Sequence, residues 1–151
     1  MSHKSTVVLE FSSELKRFVA ELNAALAALF RPLGLTCVQA DALMTPGELG
    51  PVSLKELAGC LVAESGHPSR LVSRLVDLGY VTRSASSDDG RAVILTLTEE
   101  GASLAAAAAD VRAPLLTAIA EGYAARLAEA TALLRELRAE LEDDSPRGIG
   151  G

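Results

Sequence analysis

The chain has 151 residues, almost half of them hydrophobic, two cysteines and a formal net charge of −6. That length suits one domain with a real core. No apolar stretch is expected to reach the roughly 18 residues of a membrane span, and the start carries no apolar run of signal-peptide type. A cytoplasmic chain without membrane contact is therefore expected, in which Cys37 and Cys60 make a disulfide framework improbable. The charge is unevenly spread: residues 1–52 carry −1, residues 53–97 are neutral and residues 98–144 carry −6. Charge counts alone neither support nor exclude a nucleic-acid partner, because the acidity lies in the C-terminal third.

In chain order, Phe11, Leu15, Phe18, Leu22, Leu26 and Leu29 recur at steps of three and four, which predicts an amphipathic helix over Val8 to Phe30. Pro32 and Gly34 stop it. Thr36 with Gln39 forms a capping-box pattern that opens a second helix through about Met44, broken by Pro46, Gly47, Gly50 and Pro51. Ser53 with Glu56 repeats the pattern, and Leu54, Leu57, Ala58, Leu61 and Val62 predict a helix of about ten residues. Gly66 and Pro68 mark a turn, a further helix runs from Pro68 to Leu78, and Gly79 ends it. Tyr80 to Ser84 and Ala92 to Leu97 are β-prone and separated by a polar loop, which predicts a hairpin.

Thr98 caps a long alanine-rich helix with Glu99 and Glu100 at its positive end. Pro114 is expected to kink or break it. After Gly122 a last helix carries Leu127, Leu133, Leu134, Leu137 and Leu141. The tail from 143 to 151 is polar and glycine-rich, and disorder is expected there.

Helix, turn, helix and hairpin in that order make a winged helix-turn-helix, whose second helix enters the major groove. At about 100° per residue, Ser69, Arg70, Ser73, Arg74 and Asp77 fall on one half of the Pro68 to Leu78 helix. Leu71, Val72, Leu75, Val76 and Leu78 fall on the other. The wet half offers two arginines four residues apart that can fork onto guanine edges or phosphates, beside serines small enough for close approach. Any surface helix carries charges, so periodicity alone leaves Arg70 and Arg74 as solvated residues about as well as DNA contacts. The adjoining loop shifts the balance, because Arg91 on a β-ribbon can enter a narrow minor groove. Asp88 and Asp89 would repel phosphate unless one of them orients Arg91.

The run Pro68-Ser69-Arg70-Leu71-Val72-Ser73-Arg74-Leu75-Val76-Asp77-Leu78-Gly79-Tyr80-Val81-Thr82-Arg83 resembles the MarR family of bacterial regulators. So do Asp88-Asp89-Gly90-Arg91 and Leu97-Thr98-Glu99-Glu100-Gly101. Leu35-Thr36-Cys37-Val38-Gln39 and Leu54-Lys55-Glu56-Leu57-Ala58 match its pattern in the same order, and the likeness covers residues 8 to 141. It implies a mainly α fold with a small β-hairpin wing: one domain, with dimerisation helices at 8–35 and 98–141 and a DNA-binding lobe at 36–97. It implies a homodimer reading pseudo-palindromic double-stranded DNA as a repressor. By position, Ser69, Arg70, Ser73 and Arg74 match the recognition helix, and Asp89 with Arg91 matches the Asp-x-Arg wing signature. Ser73 stands where the family often has an acidic residue, and Gly90 where the loop tip is often basic. The family also implies a cleft for small aromatic or phenolic effectors, for which no ligand residues are assigned here.

His67, at the start of the recognition helix, is a candidate phosphate donor, although a local turn or capping role fits it better. No cofactor is expected. With two histidines and two cysteines, none paired at a ligand spacing, no metal site is expected either. No nucleophile stands near a plausible base, so no enzyme is expected. Cys37 and Cys60 read as buried small hydrophobes rather than redox sensors, since no cation lies near either in sequence. One reading of a different class stays open. It is a winged-helix dimer serving as a protein-interaction module without DNA binding, favoured by the acidity and disfavoured by the two-sided recognition helix.

Overall fold

A computed structural model describes residues 2–61, 67–86 and 92–143. The chain divides into two compact units, Met1–Arg112 and Ala113–Gly151. The first begins with α1 (His3–Phe30), followed by a short 3-10 turn (Arg31–Leu33) and α2 (Cys37–Leu49). Then come β1 (Val52–Ser53), α3 (Leu54–Cys60), α4 (Pro68–Asp77), β2 (Val81–Ala85) and β3 (Val93–Leu97). Helix α5 (Glu99–Ala120) runs from the first unit into the second, which also holds α6 (Ala124–Asp143).

Helix α1 starts where Ser2 accepts a hydrogen bond from the Ser5 N–H, five residues before the expected start. It ends as expected, with Pro32 in the 3-10 turn and Gly34 in the left-handed region at φ 72°. Thr36 and Gln39 then form the reciprocal capping box: the Thr36 hydroxyl accepts from the Gln39 N–H at 3.2 Å, and the Gln39 side chain accepts from the Thr36 N–H at 3.0 Å.

Two expectations about the next stretch need correction. Helix α2 does not stop at Met44 but continues through Pro46 and Gly47 to Leu49. A mid-helix proline forfeits a hydrogen bond and costs about 3 kcal/mol. Pro46 is itself buried beside Ala42, Leu43 and Met44, so core packing offsets that loss. Gly50, at φ 81°, is the true end, its N–H bonded to the Pro46 carbonyl at 2.8 Å. The sheet is also larger than a hairpin. Strand β1 pairs antiparallel with β3, Val52 opposite Leu95 and Ser53 opposite Ile94, giving the order β1-β3-β2. Two residues are too few to show alternation in a sequence, and Val52 is held there by burial.

Ser53 caps α3 by accepting from the Glu56 N–H at 3.0 Å, and the helix ends at Cys60, with Leu61 extended. Val62 and Gly66 lie outside the described residues. The hairpin strands pair from Val81 opposite Leu97 to Ala85 opposite Val93, one residue later than predicted for β2. Asp88 to Arg91 and the tail after Asp143 also lie outside the described residues; Asp143 itself closes α6.

The core sits in the first unit. Phe30, Leu43, Leu57, Leu75, Leu95 and Val52 are its largest fully buried side chains, one each from α1, α2, α3, α4, β3 and β1, and β2 adds Val81. Helix α5 adds Ala105 and Ala108. It runs through Pro114 without a break. By length and hydropathy it is apolar enough to cross a bilayer, and the run from α1 to α2, bent by 76°, passes the same test. This corrects the expectation that no stretch would. Much of the hydropathy of α5 comes from alanine, and Gly101, Ala105 and Ala108 seat one face of its first half in the core.

Gly101 is a close-approach position: a Cβ there would come within 2.8 Å of the Tyr80 carbonyl carbon and still nearer its oxygen. Gly59, on α3, has open space around it. Gly101→Ala is expected to destabilise by about 1–3 kcal/mol through overpacking against backbone, whereas Gly59→Ala stabilises by about 0.5–1 kcal/mol through helix propensity. Urea unfolding of the two variants checks both signs.

Candidate nucleic-acid interface

Helix α4 divides as the sequence implies. Val72 and Leu75 are 2% and 1% exposed, Leu71 and Val76 pack partly against them, and Ser69, Arg70, Arg74 and Asp77 face outward. Pro68 at the first helical position needs no N–H there and supplies the right φ. His67 is the N-cap residue, exposed and extended; its carbonyl accepts from the Arg70 N–H at 2.9 Å, and its imidazole makes no capping bond. Its local role is therefore a backbone one.

The far end of α4 is closed by paired bonds, Tyr80 N–H to the Leu75 carbonyl and Gly79 N–H to the Val76 carbonyl, with Gly79 at φ 82°. That is the Schellman arrangement, and it sends the chain into β2. Thr98 ties the same corner to α5. Its hydroxyl donates to the Gly79 carbonyl at 2.6 Å and accepts from the Gly101 N–H at 3.0 Å, while its N–H donates to the Tyr80 carbonyl at 3.0 Å.

Ser69, Arg70, Ser73, Arg74 and Asp77 together line one shallow surface hollow. Among the described residues the ion pairs are Arg17–Glu14 and Arg112–Glu48, so neither Arg70 nor Arg74 is neutralised by a carboxylate. Asp77 shares the hollow at its C-terminal end. An anionic ligand would thus be drawn toward the N-terminal half of the helix. Asp89 and Arg91 lie outside the described residues.

One residue of this surface escaped the sequence reading. Arg83, on β2, donates from Nη2 to the Ser73 Oγ at 3.2 Å. The signal was available: Arg83 lies two positions after the buried Val81, so alternation puts both on the helix-facing side of the strand.

The cysteines differ. Cys37 is half-buried, and its thiol donates to the Asn23 carbonyl at 3.4 Å. Burial pushes its pKa up, and the Asp41 carboxylate adds to the rise. Burial pushes the Asp41 carboxyl up too, with Arg112 opposing it. Cys60 is exposed, which corrects its reading as a buried hydrophobe: the end of α3 leaves it outside the core.

Residues 35–101 match the family model described as a winged helix DNA-binding domain. Over 96 residues the chain is 30% identical to the organic hydroperoxide resistance transcriptional regulator of Bacillus subtilis, covering 64% of this chain and 65% of that protein, just under two thirds of its length. A cysteine-to-serine mutant of MarR from E. coli, solved with operator DNA, superposes with a TM-score of 0.74 at 22% identity, over 90% of this chain and 99% of that one. The chain has the winged-helix fold of MarR. Another similar structure is NadR in complex with 4-hydroxyphenylacetate, at 25% identity, TM-score 0.68, and coverage of 87% and 91% of the two chains.

A thiol held protonated by burial and a neighbouring carboxylate reacts slowly at neutral pH. Cys60 is expected to react with a disulfide reagent at pH 7 well ahead of Cys37, whose rate rises only at higher pH than a free thiol's. Mass mapping of the labelled positions over a pH series checks the order and the sign.

Proposed function

We propose that the protein is a DNA-binding transcriptional regulator, a homodimeric and ligand-responsive repressor of a pseudo-palindromic operator. The observation that carries this is the outward half of α4, where Arg70 and Arg74 stand in one hollow with Ser69, Ser73 and Asp77 and, among the described residues, neither arginine is ion-paired to a carboxylate. In this reading α4 lies in the major groove. Arg70 and Arg74 fork onto guanine edges or phosphates, the serines admit close approach, and His67, Asp89 and Arg91 act at the flanks. That MarR from E. coli was solved with operator DNA supports the same use of a similar fold.

Homodimerisation is supported by apolar surface that neither unit covers within itself. On α1, Val7, Val8, Leu9, Phe11, Phe18 and Val19 are exposed. On α6 no residue is buried, and Leu127, Leu133, Leu137 and Leu141 are exposed. Large apolar side chains left exposed in such number point to an association surface. A second copy places two α4 helices on successive major grooves, about one helical turn apart.

The ligand response is supported by the NadR complex with an aromatic acid and by a cavity of about 190 Å³ between α2, the end of β3 and α5. Met44, Leu97, Ala105 and Ala109 make it apolar, and Glu48 gives it a polar edge. An effector that binds the form with misfitting lobe spacing draws the population away from DNA.

Two outcomes are expected. In fluorescence anisotropy with DNA from upstream of the protein's own gene, the wild type binds selectively and with steep salt dependence, and Arg70→Ala/Arg74→Ala loses at least tenfold in affinity, since each good arginine–base contact contributes about 1–3 kcal/mol of discrimination. Equal, weak binding by both would overturn the reading. In sedimentation velocity the wild type runs as a dimer, and Leu133→Asp/Leu137→Asp runs as a monomer.

A further inference from the structure

Ser73 lies on the polar half of α4 yet is half-buried, and the residue that reaches it is Arg83. Two features set Arg83 apart from an ordinary surface arginine. The first is register. It stands opposite Leu95, which is 1% exposed, and two positions beyond Val81, which is 4% exposed. Paired and alternate positions of a strand share a face, so Arg83 projects from the core side of the sheet toward α4. Strand β2 is an edge strand, so its guanidinium still emerges at the surface. The second is charge. No carboxylate pairs with Arg83 among the described residues, and its partner is a neutral hydroxyl.

The chemistry of the pair follows. A guanidinium has five N–H donors in a planar fork, and Ser73 takes one of them. The full positive charge and the remaining donors stay available to an anion. Ser73, in accepting from Arg83, keeps its own proton for an acceptor beyond the protein. An acidic residue at this position would pair with Arg83 and cancel its charge.

We propose that Arg83 is a third DNA-contacting cation of the α4 surface, held against the helix by Ser73 and bound to phosphate rather than to a base edge. This rests on the DNA-binding reading above. Phosphate contacts fix register and supply affinity without reading sequence. In a chain of net charge −6, with a neutral segment over residues 53–97, one un-neutralised arginine is a substantial share of the local attraction.

The test is the salt dependence of binding to a labelled mixed-sequence duplex, with thermal melting measured in parallel. Arg83→Gln keeps a donor for Ser73 and removes the charge. Its log affinity against log salt is expected to be shallower by about 0.9 per protomer, with melting unchanged. Arg83→Lys, which keeps the charge, is expected to hold the wild-type slope. A wild-type slope in Arg83→Gln overturns the proposal, whatever happens to affinity. So does a slope lost equally in Gln and Lys variants, which makes Arg83 a brace between β2 and α4. Failure of the wild type to bind any duplex overturns the DNA-binding reading itself and is recognised without either variant.

Discussion

The orientation of α4 depends on one backbone junction. Where the helix ends, the Tyr80 carbonyl accepts from the Thr98 N–H, the Gly79 carbonyl accepts from the Thr98 hydroxyl, and Gly101 presses its bare Cα against Tyr80. Four chain segments meet there: the end of α4, the start of β2, the end of β3 and the first turn of α5. Thr98 satisfies an orphan helix donor of α5 and the carbonyl of Gly79, just past the end of α4, at once. Gly101 is required because no side chain fits between the helix and the backbone it crosses. On the proposed DNA-binding reading α4 needs such a rigid seat, since misplacement by about 1 Å loosens every contact it makes.

On that seat, the two faces of α4 serve separate ends. Val72 and Leu75 anchor it in a core that also holds Leu57, Leu95 and Phe30. On the outward face Ser73 holds Arg83, while Arg70 and Arg74 pair with no carboxylate among the described residues. The acidity of residues 98–144 belongs to other helices. A protein can thus carry a net charge of the wrong sign for a polyanion and still present a locally cationic surface, because screening confines each charge's influence to about 8–10 Å.

Much of this was legible in the sequence because it rests on short-range rules. The Thr36–Gln39 box, the Ser53 cap, the Gly79 stop and the Thr98 cap all depend on residues within four positions of one another. So does the division of α4 into a buried and a wet face. What escaped depends on distance in the chain. The persistence of α2 through Pro46 follows from burial among residues of the core, which local propensity does not report. Strand β1 exists because β3, some forty residues later, offers it partners. Cys60 looked apolar by its neighbours and is exposed because α3 ends at it. Arg83 reaches Ser73 only once the hairpin folds back on the helix, although its alternation with Val81 already pointed that way.

The most direct measurement of where α4 lies on DNA is dimethyl sulfate protection, which reports guanine N7 in the major groove, one of the acceptors an arginine fork engages. Bound to its own upstream DNA, the protein is expected to protect guanines in two patches about one helical turn apart, with the patches related by approximate two-fold symmetry. Guanine N7 atoms that stay reactive throughout a fully bound site, or protection confined to adenine N3 in the minor groove, would contradict the placement of α4 in the major groove.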